Sequence, residues 1–322
     1  MKGKCLAIVV PCYNEEEVFE TTNEVLLGVL NDLIGKGKIA EDSYILYVND
    51  GSKDSTWQHI KEAYAKDVHV HGLSFAGNRG HQNALFAGLM EAKKTADMTI
   101  SIDADLQDDV AVIEEMVDKY HEGCDIVYGV RSKRTTDTFF KRFTAESFYR
   151  VMNMMGAKSV YNHADFRLMS KRSLDELSLY GETHLFLRGI VPNLGFQTAI
   201  VTYERKERMA GESKYPLKKM LAFAFDGITS FSVKPLTMIL FMGFCAIMVA
   251  LIAVIYSLVR HFGGHTVPGW TSLFVSIWFL GGVQLFAIGI VGQYVGKTFI
   301  EAKKRPRYYV EEILDHSEEK AD

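Results

Sequence analysis

One acidic pair has the residue types and spacing for metal-ion chemistry: Asp103 and Asp105, in the stretch Met98 to Asp109, MTISIDADLQDD. The apolar run Met98-Thr99-Ile100-Ser101-Ile102 reads as a buried strand. The two carboxylates therefore fall where a strand ends, and ligands in open α/β sheets gather at the carboxyl ends of strands. Two carboxylates one residue apart can share a hard divalent cation, and Mg²⁺ is usually held by one or two carboxylates plus substrate phosphates. Asp-x-Asp is also common on solvated loops, so the pair takes its meaning from the motifs around it. Asp108 and Asp109 precede AVIEEMVDKY, a helical pattern, and read as caps of its N-terminus.

Such groups need a sheet to hold them, and the chain supplies strand patterns at regular intervals. Leu6 to Val10 reads as a buried strand ended by Pro11, followed by Cys12-Tyr13-Asn14-Glu15-Glu16-Glu17 and a helical pattern from Val18 to Leu33. Tyr44 to Val48 is the second strand, followed by the loop Asn49-Asp50-Gly51-Ser52-Lys53-Asp54-Ser55-Thr56. Val68 to Ser74 is a candidate third strand, after which Gly77-Asn78-Arg79-Gly80-His81-Gln82-Asn83 turns into a helix from Ala84 to Lys94. Ile126 to Gly129 is a further strand. This β-loop-α alternation argues for a mostly parallel sheet with helices on both faces.

At 322 residues the chain is long enough for one sizeable core and more, and its net charge of −4 gives no global basic field for nucleic acid. Cys5, Cys12, Cys124 and Cys245 lack C-x-x-C spacing and read as small buried hydrophobes in a reducing compartment. The apolar run after Met1-Lys2-Gly3-Lys4 is too short for a signal peptide, so the N-terminal part is expected in the cytoplasm. No G-x-G-x-x-G follows the first strand, no Walker-type loop exists, and G-x-S-x-G is absent. Dinucleotide binding and α/β-hydrolase chemistry are thereby disfavoured.

The motifs VVPCYNEEE, VNDGSKDST, GNRGHQNALFAGL and DADLQDD, in this order and spacing, resemble an inverting family 2 glycosyltransferase with a GT-A fold. The likeness is closest to the polyisoprenyl-phosphate glycosyltransferases, which include dolichol-phosphate mannose synthase and bactoprenol-phosphate glucosyltransferases. It runs from about Leu6 to about Lys304. The resemblance implies a nucleotide site with Pro11, Tyr13, Asn14 and Glu15 around base and ribose, and Asp50 hydrogen-bonding one of them. The stretch Asn14 to Glu17 also fits a helix N-terminus, with Asn14 capping while Glu15 binds. Ser52, Asp54 and Ser55 read as turn and cap residues. Asp103 and Asp105 would hold Mg²⁺ or Mn²⁺ against the diphosphate, with Gln107 contacting the donor or a metal-bound water.

Arg131 opens a basic stretch with Arg134, Lys141 and Arg142. These are candidates for offsetting phosphate charge, since arginine forks suit phosphates, although charge runs are commonly solvated faces. In Tyr161-Asn162-His163-Ala164-Asp165-Phe166-Arg167-Leu168-Met169 the resemblance makes Asp165 the candidate catalytic base, and His163 reads as a loop histidine. A phosphate monoester, with a second pKa of about 6, hardly needs a base, so Asp165 could instead orient the acceptor or a cation. The resemblance also assigns phosphate contact to Arg208, Ser213 and Lys214 within the R-x-x-G-x-S-K-Y loop, the alternative being a basic stretch attracted to anionic lipid.

The C-terminal third reads as membrane-associated. Residues 216–235 suit an interfacial amphipathic helix. Leu236 to Val259 and Trp270 to Val295 carry no charge and are long enough to span a bilayer as a hairpin. Gly281, Gly282, Gly289, Gly292 and Gly296 offer small faces for helix packing. Lys218, Lys219 and Lys234 precede the hairpin, and Lys297, Lys303, Lys304, Arg305 and Arg307 follow it. That bias places both termini and the catalytic domain (residues 1–215) in the cytoplasm. Residues 297–322 read as a cytoplasmic tail, disordered at its end.

The expected protein is thus an enzyme of the bacterial cytoplasmic membrane, with a divalent cation as cofactor. It would transfer glucose or N-acetylglucosamine from a UDP-sugar to undecaprenyl phosphate, making a lipid-linked donor for cell-envelope glycans. The resemblance also suggests a homo-oligomer such as a tetramer. The alternatives are a processive polysaccharide synthase, whose Q-x-x-R-W motif and additional spans are missing, and a non-catalytic sugar-nucleotide-binding partner of a flippase, for which an intact acidic pair is not required.

Overall fold

The computed structural model describes residues 3–131, 163–183, 185–204, 234–263 and 269–316. The chain forms two compact units, one of Met1–Glu146, Lys158–Tyr215 and Pro306–Asp322, the other of Ser147–Ala157 and Pro216–Arg305.

In the first unit the strands β1 (Leu6–Cys12), β2 (Tyr44–Asn49), β3 (Val70–Phe75), β4 (Met98–Ser101), β5 (Ile126–Arg131), β6 (His163–Ser170), β7 (Thr198–Tyr203) and β8 (Val310–Leu314) form one sheet. Its order is β7-β5-β6-β4-β1-β2-β3-β8. β4, β1, β2 and β3 are parallel neighbours, as are β5 and β7, whereas β6 and β8 run antiparallel to the strands they join. The helices are α1 (Phe19–Gly35), α2 (Thr56–Lys66), α3 (His81–Ala92), α4 (Ile113–His121) and α5 (Lys171–Leu177).

Every residue of β1 and β2 is buried, as continuous apolar runs covered on both faces should be. Alternation along β1 divides its side chains between two layers. Leu6, Ile8 and Val10 join Leu26 and Leu30 of α1, Ile60 of α2 and Met116 and Val117 of α4 in the main core. Val9 faces α3, where Gly88 lets the helix approach so closely that a Cβ there would meet Val9 Cγ1 at 2.4 Å and Val48 Cγ2 at 2.7 Å. Each fully buried Leu, Ile or Val contributes about 1.5–3 kcal/mol, so this double burial fixes β1 and β4 at the centre and their carboxyl ends on one rim.

β3 starts two residues later than its pattern suggests. Asp67 forms a turn first, accepting from the backbone N–H of His69 at 2.9 Å through its side chain and of Val70 at 3.1 Å through its carbonyl. His163, expected in a loop, opens β6. The segment expected as a tail from residue 297 is also different. Helix continues through Ala302, and Val310–Leu314 pairs with β3, covering an edge that would otherwise present unpaired backbone groups.

The second unit contains α6 (Lys234–Phe262) and α7 (Trp270–Ala302). Among the described residues one stretch, Phe279–Ala302, is long and apolar enough to cross a membrane, and Lys234–Ala246 is a shorter apolar helix. Leu285, Phe286, Ile288 and Val295 are exposed on α7. Apart from the local helix backbone and the chain neighbours, nothing lies within 4 Å of where a Cβ would sit on Gly281, Gly282, Gly289, Gly292 or Gly296, so the close packing expected there is not made within the described chain. The expected interfacial helix falls on residues that, up to 233, lie outside the described ones.

Candidate active site

Three loops leave the carboxyl ends of β1, β2 and β3 and are sewn together by backbone and side-chain hydrogen bonds. Asn14 takes a left-handed conformation, φ 55°, which asparagine tolerates better than most residues. Its N–H donates to Ser52 Oγ at 3.0 Å and its Oδ1 accepts from Lys53 N–H at 2.9 Å. Glu15 N–H donates to Thr56 Oγ1 at 2.9 Å, and Glu16 Oε2 accepts from Ser55 N–H at 3.0 Å. Asn14 therefore does not cap α1, which begins only after Val18. Its side chain is committed to the neighbouring loop. Asp54, one residue before the N-cap position of α2, instead forms the turn into that helix, accepting from Thr56 N–H at 3.1 Å and Thr56 Oγ1 at 2.6 Å.

Asp50 joins the second loop to the third. It is buried and accepts from the backbone N–H groups of Arg79 at 2.6 Å and Gly80 at 2.8 Å. Burial pushes its pKa up, and the two N–H donors hold it back. Gly51 has φ 63°, and a Cβ there would strike Asn78 N and Gly77 C at 2.6 Å. Each carboxylate oxygen keeps a second lone pair, so Asp50 can support the loop and still accept from a ligand. Pro11 is buried within β1, Tyr13 is 41% exposed, and Glu15 is half-buried.

The acidic floor follows from strand register. β4 and β6 pair antiparallel with Ser101 opposite Arg167. Extending that pairing by two residues sets Asp165 across from Asp103, and Ser101 Oγ donates to the Asp165 carbonyl. His81, the first residue of α3, lies between the two carboxylates, its Nε2 3.6 Å from Asp103 Oδ1 and 3.5 Å from Asp165 Oδ2. Asp165 is almost wholly enclosed. Its Oδ1 accepts from Arg167 Nη2 at 2.9 Å, and its Oδ2 from Arg188 Nη2 at 3.0 Å and Gln82 Nε2 at 3.1 Å. Gln82 in turn accepts from Leu187 N–H at 3.0 Å.

These surroundings drive the carboxylates apart. Asp103 is pushed up to about 6 by burial; the like charges of Asp165, Asp108 and Asp105 add to this and His81 opposes it. Burial acts on Asp165 in the same sense, but His81 and the guanidinium groups of Arg188 and Arg167 overcome it and hold Asp165 well below the ordinary carboxylate range. Burial would lower His81, yet its hydrogen bond to Asp165 and the charges of Asp103 and Asp165 raise it. The repulsion concentrated on Asp103 is what a divalent cation would relieve. Asp105 is half-buried, and its Oδ1 accepts from Gln107 N–H at 3.2 Å across Leu106, which is held at φ 49°. No cluster of three or more His, Cys, Asp or Glu side chains suited to a metal occurs among the described residues. Asp103 and Asp105 could supply two carboxylates of a donor set completed by substrate phosphates.

Arg131 lies at the end of β5, opposite Tyr203 of β7. Its Nε and Nη2 donate to Asp108 Oδ1 at 3.2 and 3.0 Å, and Tyr203 Oη donates to the same oxygen at 2.5 Å. Asp108 is thus a buried anchor and not a helix cap; Asp109 caps, accepting from Ala111 N–H at 3.3 Å. Burial would lower Arg131, but Asp108 and Tyr203 raise it, and it stays a fixed cation. Gln107 is buried. Arg134, Lys141, Arg142, Arg208, Ser213 and Lys214 lie outside the described residues.

Sequence reasoning missed His81, Gln82, Arg167, Arg188, Asp108 and Tyr203. A signal existed for two of them: His81 opens the helix that follows GNRG, and Arg167 shares a strand face with Asp165 two residues away. Arg188 and Tyr203 come from distant segments and carried none.

The family model for glycosyl transferase family 2 matches residues 7–178. The chain is 58% identical over 306 residues to the uncharacterized glycosyltransferase YkoT of Bacillus subtilis, covering 95% of this chain and 91% of the relative. It is 40% identical over 317 residues to the prophage bactoprenol glucosyl transferase homolog of Escherichia coli, covering 96% and 99%. A likeness to glucosyl-3-phosphoglycerate synthase from Mycobacterium tuberculosis, solved with Mn2+, UDP and glucosyl-3-phosphoglycerate, has a TM-score of 0.43 at 16% identity, over 70% of this chain and 78% of that one.

Proposed function

Because the chain belongs to glycosyl transferase family 2, we propose that it transfers one hexose, glucose or N-acetylglucosamine, from a UDP-sugar to undecaprenyl phosphate with inversion. One observation carries the choice of acceptor. The likeness to the bactoprenol glucosyl transferase homolog extends over 96% of this chain, through the apolar helices and not only the sheet domain. The apolar stretch Phe279–Ala302 supports an anchor that keeps the site near a lipid-borne phosphate, converting a search in volume into local positioning. The topology we infer is a hairpin with both termini and the catalytic domain in the cytoplasm, as the flanking lysines and arginines favour. Self-association, as a tetramer for instance, is part of the same reading.

In the step itself an acceptor phosphate oxygen attacks the anomeric carbon. The bond from that carbon to the β-phosphate oxygen breaks, and UDP leaves with the electron pair. No proton need move, because the acceptor is already largely dianionic at neutral pH. Asp165, held low by two guanidinium groups and His81, is a poor proton acceptor and serves to fix Arg167, Arg188 and His81 around the acceptor side. Glu15 and Asp50 hold the nucleoside through oxygens that accept from base and ribose. Asp103 and Asp105, with Gln107 beside them, would hold Mg²⁺ or Mn²⁺, which when bound offsets charge on the departing diphosphate. Arg131 is a fixed cation beside this floor and is assigned to phosphate; the undescribed Arg134, Lys141, Arg142, Arg208, Ser213 and Lys214 keep their proposed phosphate roles. The product would donate its sugar to envelope glycans after crossing the membrane.

The test is purified protein in detergent with undecaprenyl phosphate, Mg²⁺ or Mn²⁺, and a panel of nucleotide sugars, with lipid products read by mass. One glycosyl-phospholipid, lost with EDTA and in Asp105→Ala, is expected. Long polymer, or UDP binding without any lipid product, would overturn the reading.

A further inference from the structure

We propose that Tyr309, which follows the apolar helix α7 in the sequence, is a positioning residue for the loop Ala76–Gly80, whose Arg79 and Gly80 N–H groups hold Asp50; the inference rests on reading Asp50 as part of the nucleotide site. Residues 307–309 belong to the same compact unit as the sheet, and they contact β3, the loop after it and α3. The Arg307 guanidinium lies 4.4 Å from the Phe86 ring centroid of α3 and donates to the Tyr180 carbonyl. The Tyr308 ring stacks on Phe75 at 4.9 Å and 8°. Ala76 N–H donates to the Tyr309 carbonyl at 3.0 Å, and the Arg79 guanidinium lies 5.4 Å from the Tyr309 ring centroid.

The loop is therefore clamped from two sides. Asp50 takes the N–H groups of Arg79 and Gly80 from the second loop, while Tyr309 holds Ala76 and Arg79 from the C-terminal segment. The β3–β8 pairing shifts register between Ser74 and Phe75, where the loop departs, so regular sheet pairing does not fix it there. The next residues are His81 and Gln82, which reach Asp103 and Asp165.

Tyr309 is 54% exposed, so its ring adds little to core burial, and truncation reports on loop placement more than on folding. A cation–π contact at an exposed site is worth about 0.5–1 kcal/mol, or roughly a two- to five-fold change in affinity. Tyr309→Ala is expected to weaken UDP binding and raise the donor KM by that factor, with kcat and melting temperature unchanged. Tyr309→Phe keeps the ring and should match wild type. In an Arg79→Ala background, Tyr309→Ala should add nothing further, because the ring acts through that guanidinium.

The inference is overturned by an unchanged UDP dissociation constant in Tyr309→Ala, by additive losses in the double variant, or by a melting temperature that falls in step with affinity. The UDP measurement needs no lipid acceptor. Tyr309 variants that shift UDP affinity in a protein that makes no glycosyl-phospholipid would sustain the inference while sinking the proposed acceptor. A wild-type chain that binds no UDP would end both.

Discussion

Replacing Asp165 by Asn separates a structural anchor from a catalytic base. The Arg167 side chain is fully buried and that of Asp165 is 5% exposed. Arg167 Nη2 donates to Asp165 Oδ1 at 2.9 Å, its Nη1 contact to the Leu187 carbonyl is long at 3.5 Å, and its Nε has no hydrogen-bond partner among the described residues. Asp165→Asn leaves a buried guanidinium without its anion, which costs about 3–5 kcal/mol. For a unit of this size each kcal/mol moves the midpoint by about 2–4 °C, so the apparent melting temperature should fall by roughly 6–20 °C. Removing the pair together, Asp165→Asn with Arg167→Met, should recover much of the loss, since apolar replacement of a buried pair is often neutral. Because Asp165 is depressed, its contribution is present above the unfolded carboxylate value of about 3.9 and vanishes only as pH falls through its lower folded value. From pH 6 to pH 8 Asp165 itself stays ionised, so the deficit there should change only through His81, whose raised pKa depends on Asp165, and should grow as pH falls. Thermal melting in detergent across that range, alongside initial rates, is the assay. An Asp165→Asn protein that melts like wild type but has lost transfer, with a rate profile that no longer titrates, would refute the anchor and restore the base.

Asp103 gives the pH dependence. Its pKa of about 6 belongs to the cation-free site, and the group must be ionised to take a cation. Mn²⁺ affinity with UDP present should thus fall by up to about tenfold per unit as pH drops below 6, measured by calorimetry, and Asp103→Asn should abolish that slope. Tyr203→Phe removes a donor from buried Asp108, whose Oδ2 already lacks a hydrogen-bond partner among the described residues. A loss of about 1–3 kcal/mol is expected, read as a lower melting temperature. Gly88→Ala brings a Cβ against Val9 and Val48, and overpacking of about 1–3 kcal/mol should exceed the helix-propensity gain of about 1. Its melting temperature should fall and partly recover with Val9→Ala.

What the sequence made legible was whatever is encoded locally. The apolar runs of β1, β2 and β4 are continuous because both sheet faces are covered, and Asp103 and Asp105 follow such a run directly. Nothing local announces that Asp165 comes back antiparallel beside β4, because that depends on strand pairing across more than sixty residues. The same holds for Asp108, which reads as a cap from its neighbours but is claimed by Arg131 and Tyr203 from two other strands. Asn14 has the composition of a cap, yet a left-handed backbone turns it to the second loop. β8 looked like tail because Val310–Leu314 carries two glutamates. One of them, Glu312, accepts from Trp57 Nε1 at 3.0 Å and pairs with Lys61 at 2.7 Å, bonds visible only once the strand is docked.

The most direct test of the proposed reaction is the anomeric configuration of its lipid product. Wild-type protein would be given α-linked UDP-glucose and UDP-N-acetylglucosamine with undecaprenyl phosphate, and the isolated product read by proton and phosphorus NMR. A single hexose joined to the lipid phosphate through a β-anomeric bond is the expected result. An α-linked product, a chain of sugars, or a sugar released to water with the lipid untouched would contradict direct in-line attack by the acceptor phosphate.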